Sequence, residues 1–237
     1  MKRILVAGLA ALIWVAAPLA TAEDEAKGSW DGLAEVKPKR VDAGYLLPGA
    51  DFRPYKKIMM DPVEVAFKKD WMKDYNRDAT TLSQRLNQED LDAIAKAGRE
   101  NFEEVFTETY REAGLEIVTT PGPDVLRLRP GVMDLYIAAP DKFTSGRSRT
   151  YTTESGEAVL FLEVRDSTTG ALLGRALDRR NTRYTGHAQV SNRVTNLSDF
   201  RALFKQWADI SVKGFEDLRE LSPIGMAYTL RGVQLRR

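Results

Sequence analysis

The sequence of 237 residues contains no cysteine and a single histidine. The absence of cysteine excludes disulfides, thiolate nucleophiles, iron–sulfur clusters and cysteine-ligated zinc, and a single imidazole excludes every metal site that needs two histidines. After the first 22 residues, no apolar run is long enough to cross a bilayer, which takes about 20 residues. The remaining composition, 43% hydrophobic and 29% charged, is that of an ordinary globular protein rather than of a disordered or multi-span membrane protein.

Residues 1–22 have the layout of a secretory signal peptide. Two basic residues precede an apolar run over residues 4–17, Pro18 interrupts the run, and residues 20–22 supply small side chains at the positions that a signal peptidase reads. The run is too short to span the about 30 Å of hydrocarbon in a bilayer. We therefore expect cleavage after Ala22 and export to the periplasm, with an uncleaved membrane anchor as the alternative.

The exported chain is almost neutral. Removal of the leader takes Lys2 and Arg3 from the 35 basic residues and nothing from the 34 acidic residues, so the mature chain has a formal charge of −1. A neutral balance provides no overall field to attract nucleic acid, and we expect no nucleic-acid partner. Any anionic envelope component would have to be recognised by a local patch of charge.

Hydrophobic periodicity predicts one α/β domain over residues 51–222, with an extended N-terminal arm over residues 23–50 and a C-terminal tail over residues 223–237. A long helix is expected to begin at Gln88 after the cap Asn87 and to stop at Gly114. A second long helix is expected over residues 199–218, with Ser198 as its cap.

Strands are predicted over residues 55–65, 115–120, 125–139, 158–165 and 171–184. Pro62 indicates a bend or an edge, and Pro130-Gly131 indicates a bulge or a bend. The first strand–helix–strand unit should pair its strands in parallel, and the later strands should be antiparallel. The sequence therefore predicts an α+β or α/β two-layer sandwich, in which two long helices pack on one face of a mixed sheet of about five strands.

Several short motifs occur in order along the chain. They are LLPGADF at residues 46–52, YKKIMMDPV at 55–63, Trp71, PGPDVLRLR at 121–129 and the turn DSTTG at 166–170. In these motifs the sequence resembles the domain of unknown function 3313 family, bacterial envelope proteins that are often lipoproteins. The resemblance implies an envelope protein of a Gram-negative bacterium and names no catalytic group. Because this chain has no cysteine to acylate, we expect it not to be lipid-anchored, with no transmembrane segment once the leader is removed.

No constellation of catalytic residues stands out in the sequence. A Ser/His/Asp triad would have to use His187, and no Gly-x-Ser-x-Gly elbow accompanies it. Neither an EF-hand loop nor a glycine-rich phosphate loop is present. We therefore predict no catalytic, cofactor-binding or metal-binding residue, and expect a protein that is not an enzyme and holds no cofactor.

Two charge patterns are candidate binding surfaces, with an ordinary solvated surface as the alternative for each. Arg175, Arg179 and Arg183 share one face of the predicted strand, where planar guanidinium groups could bind a phosphate, a carboxylate or an acidic protein. Acidic residues recur at every fourth position of the first long helix and form a stripe that could meet a basic partner or gather cations. They are Glu100, Glu104, Glu108 and Glu112.

The sequence favours a non-enzymatic periplasmic protein that binds another envelope protein or an envelope component. One alternative is a small-ligand binding module of the periplasm that uses a concave face between the sheet and the N-terminal arm. The other is a hydrolase that uses two converging carboxylates. No oligomeric state is predicted.

The leader provides a direct test of the export prediction. N-terminal sequencing of protein purified from its own cells should begin at Glu23, in material recovered from the periplasmic fraction. Protein that begins at Met1 and fractionates inside the inner membrane would contradict the prediction.

Overall fold

The structure, a computed structural model, describes residues 29–138, 140, 150–152, 156–182, 189–191 and 193–225. Its helices are α1 (Trp71–Asp78), α2 (Gln88–Glu112) and α3 (Arg193–Leu221), and a 3-10 turn spans Leu82–Gln84. Its strands are β1 (Ser29–Trp30), β2 (Leu33–Val36), β3 (Ala43–Leu46), β4 (Lys57–Met60), β5 (Glu64–Phe67), β6 (Glu116–Ile117), β7 (Val125–Ile137), β8 (Thr150–Thr152), β9 (Gly156–Asp166), β10 (Leu172–Asn181) and β11 (Gln189–Ser191).

Nine of these strands form one mixed sheet. Eight lie in the order β1-β2-β3-β10-β9-β7-β4-β6, and β5 also pairs with β7. Strand β4 runs parallel to β6 and β7, whereas β7, β9, β10 and β3 are antiparallel neighbours. The predicted parallel pairing of the first strand–helix–strand unit and the antiparallel pairing of the later strands are confirmed. Strands β8 and β11 pair separately.

The main sheet has one apolar face and one charged face, because successive side chains of a strand point to opposite sides. On β7, Leu126 and Leu128 are buried at 2% exposure each. The intervening Arg127 points the other way and contacts the Asp61 carboxylate at 2.8 Å. The apolar face, called the inner face below, packs against α2 and α3. Phe102 and Phe106 of α2 and Trp207 of α3 are fully buried in this core.

Helix α2 has the boundaries that its sequence predicts. The Asn87 side chain accepts a hydrogen bond from the Asp90 N–H at 2.9 Å, and the Asp90 carboxylate accepts one from the Asn87 N–H at 2.8 Å. This reciprocal capping satisfies two of the backbone donors that the first turn leaves unpaired. Gly114 follows the helix at a φ of 80°, a left-handed conformation that glycine adopts without steric cost.

Helix α3 begins earlier than predicted. It starts at Arg193 rather than at residue 199, so Ser198 lies inside the helix and is exposed instead of capping it. Asn196, in the added turn, is buried at 7% exposure. The prediction was wrong because a serine followed by an aspartate is a common helix start, whereas here tertiary burial extends the helix through it.

The sheet is larger than the predicted sandwich of about five strands. Residues 29–46, which lie within the predicted arm, form β1, β2 and β3, and β3 pairs with β10 in the register Leu46↔Gly174. These strands are too short to show a period of two, and the strand that joins them to the main sheet, β10, lies far along the chain. At the other end, Ile224 of the predicted tail donates its N–H to the Ala50 carbonyl at 2.8 Å and is 2% exposed.

Pro62 interrupts a predicted strand, whereas Pro130 lies within a continuous one. The predicted strand over residues 55–65 is interrupted around Pro62, which separates β4 from β5. The bulge predicted at Pro130-Gly131 lies elsewhere, because the β7–β9 register is continuous through these residues and shifts only between Met133 and Tyr136. Asp134, at a φ of 50°, takes up this irregularity. Proline has no N–H to donate to a neighbouring strand. Pro130 fits within β7 because it lies opposite the gap between β4 and β5, where neither strand pairs with it.

Within the described ranges, none of the helices combines the length and the hydropathy that a membrane span requires.

Candidate ligand-binding cavity

An apolar cavity of about 180 Å³ lies between the inner face of the sheet and α3. Its deep end is lined by residues that solvent does not reach, among them Phe52, Tyr110 and Trp207, each at most 2% exposed. Its outer end is lined by half-buried residues of α3 and by residues 37–41, which connect β2 to β3 and are called the 37–41 loop below. The cavity therefore runs from the centre of the core to the protein surface.

The cavity exists because the inner face of the sheet changes from large to small side chains. Strands β7 and β9 present leucines to the helices, whereas the adjoining strands present Gly174 and Ala176 of β10 and Gly44 of β3. On the opposite wall, α3 contributes Gly214, where an added Cβ would have no heavy atom within 4 Å. Protein interiors are otherwise close-packed, so this local lack of side-chain volume remains as open space.

Open apolar space of this size carries a free-energy cost that a ligand could recover. Cavities of about 150 Å³ lined by apolar side chains stay dry and bind benzene. An apolar group of a ligand would therefore gain dispersion contacts here without displacing well-bound water.

Polar groups in the wall are paired with one another. The Tyr110 hydroxyl donates to Ser211 Oγ at 3.0 Å, and Ser211 Oγ donates to the Ala208 carbonyl at 2.8 Å. Burial raises the pKa of Tyr110 to about 12, so its hydroxyl is neutral at physiological pH. The Trp207 indole N–H donates to the Asp178 carboxylate at 2.8 Å. Among the described side chains of the deep wall, no buried polar atom lacks a partner, so the wall offers apolar contact alone.

Charged side chains gather at the outer end of the cavity. Lys37, Lys39 and Arg40 of the 37–41 loop are all exposed and belong to the lining. Across from them on α3, Asp217 accepts a hydrogen bond from Arg40 Nη2 at 3.2 Å. The arrangement is an apolar interior below a rim with more basic than acidic groups.

This architecture belongs to a defined protein family. The family described as "Protein of unknown function (DUF3313)" matches residues 23–210. The chain belongs to this family. The resemblance seen in the sequence motifs is thereby confirmed. No curated protein matches the chain at a significant level.

Solved structures similar to this DUF3313 protein share little sequence with it. The PelC dodecamer from Paraburkholderia phytofirmans is 11% identical, with 69% of this chain and 95% of that chain covered and a TM-score of 0.31. A homolog of neuraminyllactose-binding hemagglutinin from Helicobacter pylori is 9% identical, with 74% and 95% covered and a TM-score of 0.34. Protein XCC0632 from Xanthomonas campestris is 10% identical, with 71% and 90% covered and a TM-score of 0.31. These scores support no transfer of ligand or assembly.

The predicted arginine patch lies on the charged face of the sheet, and its member Arg175 also belongs to the cavity lining. Arg175 stacks on Trp30, with 4.3 Å between the guanidinium carbon and the ring centroid. Arg175 also contacts the carboxylates of Glu163 at 2.7 Å and Asp31 at 2.6 Å. Arg183 lies outside the described residues.

Arg179, the second member of the patch, is also paired. It contacts the carboxylates of Asp134 and Glu157, each at 2.9 Å. Arg175 and Arg179 therefore share one face, as their spacing implies, and acidic groups of the same face accompany them. The binding of an external anion by this patch stays a prediction.

The predicted acidic stripe on α2 faces basic residues of α3. Arg201 donates to both carboxylate oxygens of Glu104, at 2.9 and 3.0 Å, and these hydrogen bonds lower the pKa of Glu104. Of the remaining three members, Glu108 lies 3.7 Å from Arg201, Glu112 lies 3.5 Å from Lys205, and Glu100 lies 3.8 Å from Lys96. The stripe thus links the two long helices, and its use as a partner surface stays a prediction.

Among the described residues that line the cavity, the acidic one is Asp217. The candidate histidine, His187, lies outside the described residues. In the described part of the chain, no cluster of histidine and acidic side chains could hold a metal ion.

Sequence reasoning missed the residues that make the cavity, although Gly44 and Gly174 gave a usable signal. A glycine inside a strand often marks a place where a ligand or another backbone approaches closely.

On the charged face, Glu163 joins three arginines. It is 6% exposed and contacts Arg129 at 3.5 Å, Arg165 at 3.0 Å and Arg175 at 2.7 Å. Burial alone would raise the pKa of Glu163, but the hydrogen bonds from Arg175 and Arg165 outweigh it, and the pKa is lowered overall. The ionised carboxylate of Glu163 therefore stabilises this cluster of arginines.

We expect the Glu163→Gln substitution to lower the free energy of unfolding by about 1–3 kcal/mol at pH 7, because Arg175 loses a charged partner. A lowered pKa stabilises the folded state above the ordinary glutamate pKa of about 4.3, and this stabilisation is lost as the pH falls through the lowered value. Urea unfolding at a series of pH values measures the difference. The exposed Glu64→Gln is the matched control. An equal difference at pH 3 and pH 7 would contradict the assignment.

Proposed function

We propose that this protein is a non-enzymatic binding protein of the bacterial envelope, and that its cavity holds the apolar part of a small ligand. The proposal joins two hypotheses from the sequence, binding of an envelope component and use of a concave face between the sheet and the N-terminal segment. Residues 36–41 and 44–46 line the cavity together with β9, β10 and α3, which is where the small-ligand hypothesis expects a concave face.

The observation that carries the proposal is an apolar cavity that reaches the surface. A space closed on all sides would be a packing defect, but this one has exposed residues at its outer end and fully buried residues at its deep end. Because the polar groups of Tyr110, Ser211 and Trp207 are paired internally, the interior selects for apolar contact.

The charge inventory of the cavity favours binding over hydrolysis. A carboxylate-dependent hydrolase places two acidic side chains about 5–10 Å apart on either side of the bond that it cleaves. Among the described lining residues, Asp217 is the acidic one, and it lies at the rim beside Arg40. We therefore retain the expectation that the protein is not an enzyme.

The leader supports an envelope location for this ligand. Cleavage after Ala22 would release a periplasmic protein with no lipid anchor, in a compartment bounded by two membranes. Molecules with apolar chains are at hand there, and a soluble protein with an apolar cavity could hold one away from water.

We expect Gly214→Leu to abolish the binding of octan-1-ol, an uncharged chain used as the probe. The new side chain would enter the open space beside α3 and occupy part of the about 180 Å³. Isothermal titration calorimetry measures the binding. The variant should remain folded and be at least as stable as the parent, because glycine within a helix costs about 1 kcal/mol relative to alanine.

The matched control is Gly98→Leu on α2. An added Cβ at Gly98 likewise has no heavy atom within 4 Å, but Gly98 lines a separate hollow of about 130 Å³ between α2 and α3. We expect this variant to bind octan-1-ol as the parent does. If the parent does not bind the probe, or if Gly98→Leu loses binding while Gly214→Leu keeps it, the proposed cavity is wrong.

A further inference from the structure

We infer that the ligand is a single-chain amphiphile with an anionic head, whose chain enters the cavity and whose head lies against Lys37 of the 37–41 loop. The inference rests on the proposed function and adds to it the charge and shape of the ligand.

The rim carries an excess of positive charge directly above an apolar interior. Among the described lining residues, Asp217 is the acidic one, whereas the basic ones are Lys37, Lys39 and Arg40 of the 37–41 loop and Arg175 of β10. Arg40 is already paired with Asp217 at 3.2 Å. Lys37 is exposed and has no ion-pair partner among the described side chains, so its ammonium group is available to an anion.

Polarity fixes the orientation of such a ligand. The deep wall offers no unpaired donor to a charged head, so burying the head there would cost its full desolvation. At the outer end, the head keeps most of its hydration and gains Coulomb attraction from the loop. A ligand that fits both the deep end and the outer end of the cavity therefore carries its charge at one end of an apolar chain. A cationic head would be repelled by the basic residues of the loop.

The volume of the cavity suits one chain. The cavity, about 180 Å³, exceeds the about 150 Å³ that accepts benzene. It is smaller than the about 300–1,000 Å³ of pockets for drug-sized ligands. One chain segment fits in this volume, which favours a ligand with a single chain. Carbons beyond this segment would pass Leu218 and Leu221, the half-buried α3 residues at the outer end.

The test compares four eight-carbon probes by calorimetry at low ionic strength: octanoate, octyl phosphate, octan-1-ol and octylammonium. We expect both anions to bind about three- to tenfold more tightly than the alcohol, the range that one or two exposed ion pairs provide. Octylammonium should bind most weakly. The preference for the anions should shrink at high salt, because exposed charges are screened. The order of octanoate and octyl phosphate indicates whether a carboxylate or a phosphate head fits better.

The loop is tested with the double variant Lys37→Glu/Lys39→Glu. Its preference for anions over octan-1-ol should disappear or reverse, while its affinity for octan-1-ol stays within about twofold of the parent. The matched control is Lys69→Glu/Lys73→Glu, which makes the same change in net charge at exposed residues outside the cavity lining. This control should keep the preference for anions.

The two proposals fail in different ways. If octan-1-ol and octanoate both bind equally well to the parent and to Lys37→Glu/Lys39→Glu, the cavity binds chains but the inferred anionic head is wrong. An equal loss of anion preference in both double variants would also overturn it, because net charge rather than the loop would then be responsible. If no probe binds, or Gly214→Leu affects none of them, the proposed function itself fails.

Discussion

Helix α3 packs against a sheet whose inward side chains change from large to small between β9 and β10. On the large side, leucines of β7 and β9 fill the space below the helix. On the small side, Gly44, Gly174 and Ala176 line the cavity, and the space beside Gly214 of the helix is open, whereas Val36 and Leu46 lie against positions 44 and 174. The position of the cavity, its apolar lining and its opening toward the 37–41 loop all follow from this one mismatch in side-chain volume.

Arginines of β10 hold the outer wall of the cavity in place. Arg175 of β10 reaches Asp31 in the turn between β1 and β2 at 2.6 Å. The Arg179 N–H donates to the Asp42 carboxylate at 2.8 Å, and Arg180 Nη2 donates to the Arg40 carbonyl at 3.2 Å. The basic residues of β10 thus fix the N-terminal strands and the loop that carries the proposed head-group contacts, while their other partners are carboxylates of the sheet.

Local signals in the sequence predicted much of the fold and little of the cavity. Helix α2 was predicted with its cap because Asn87 and Gly114 act on neighbouring backbone atoms. Strands β1 to β3 were missed because each is only two to four residues long, and because they join the main sheet through the pairing of β3 with β10, far along the chain. The cavity depends on three elements that meet only in the folded protein, and what defines it is absent volume. Glycines at positions 44 and 174 within apolar strands were the available signal, and they become informative only once their common inner face is known.

The most direct measurement is a crystal structure of the protein with bound 8-bromooctanoate, whose bromine marks the chain end by anomalous scattering. The account predicts a bromine peak in the deep end of the cavity, within about 4 Å of side-chain atoms of Tyr110 or Trp207. The carboxylate should lie at the outer end, beside the 37–41 loop. A bromine peak in the hollow beside Gly98, or a ligand with its carboxylate in the deep end, would contradict the account.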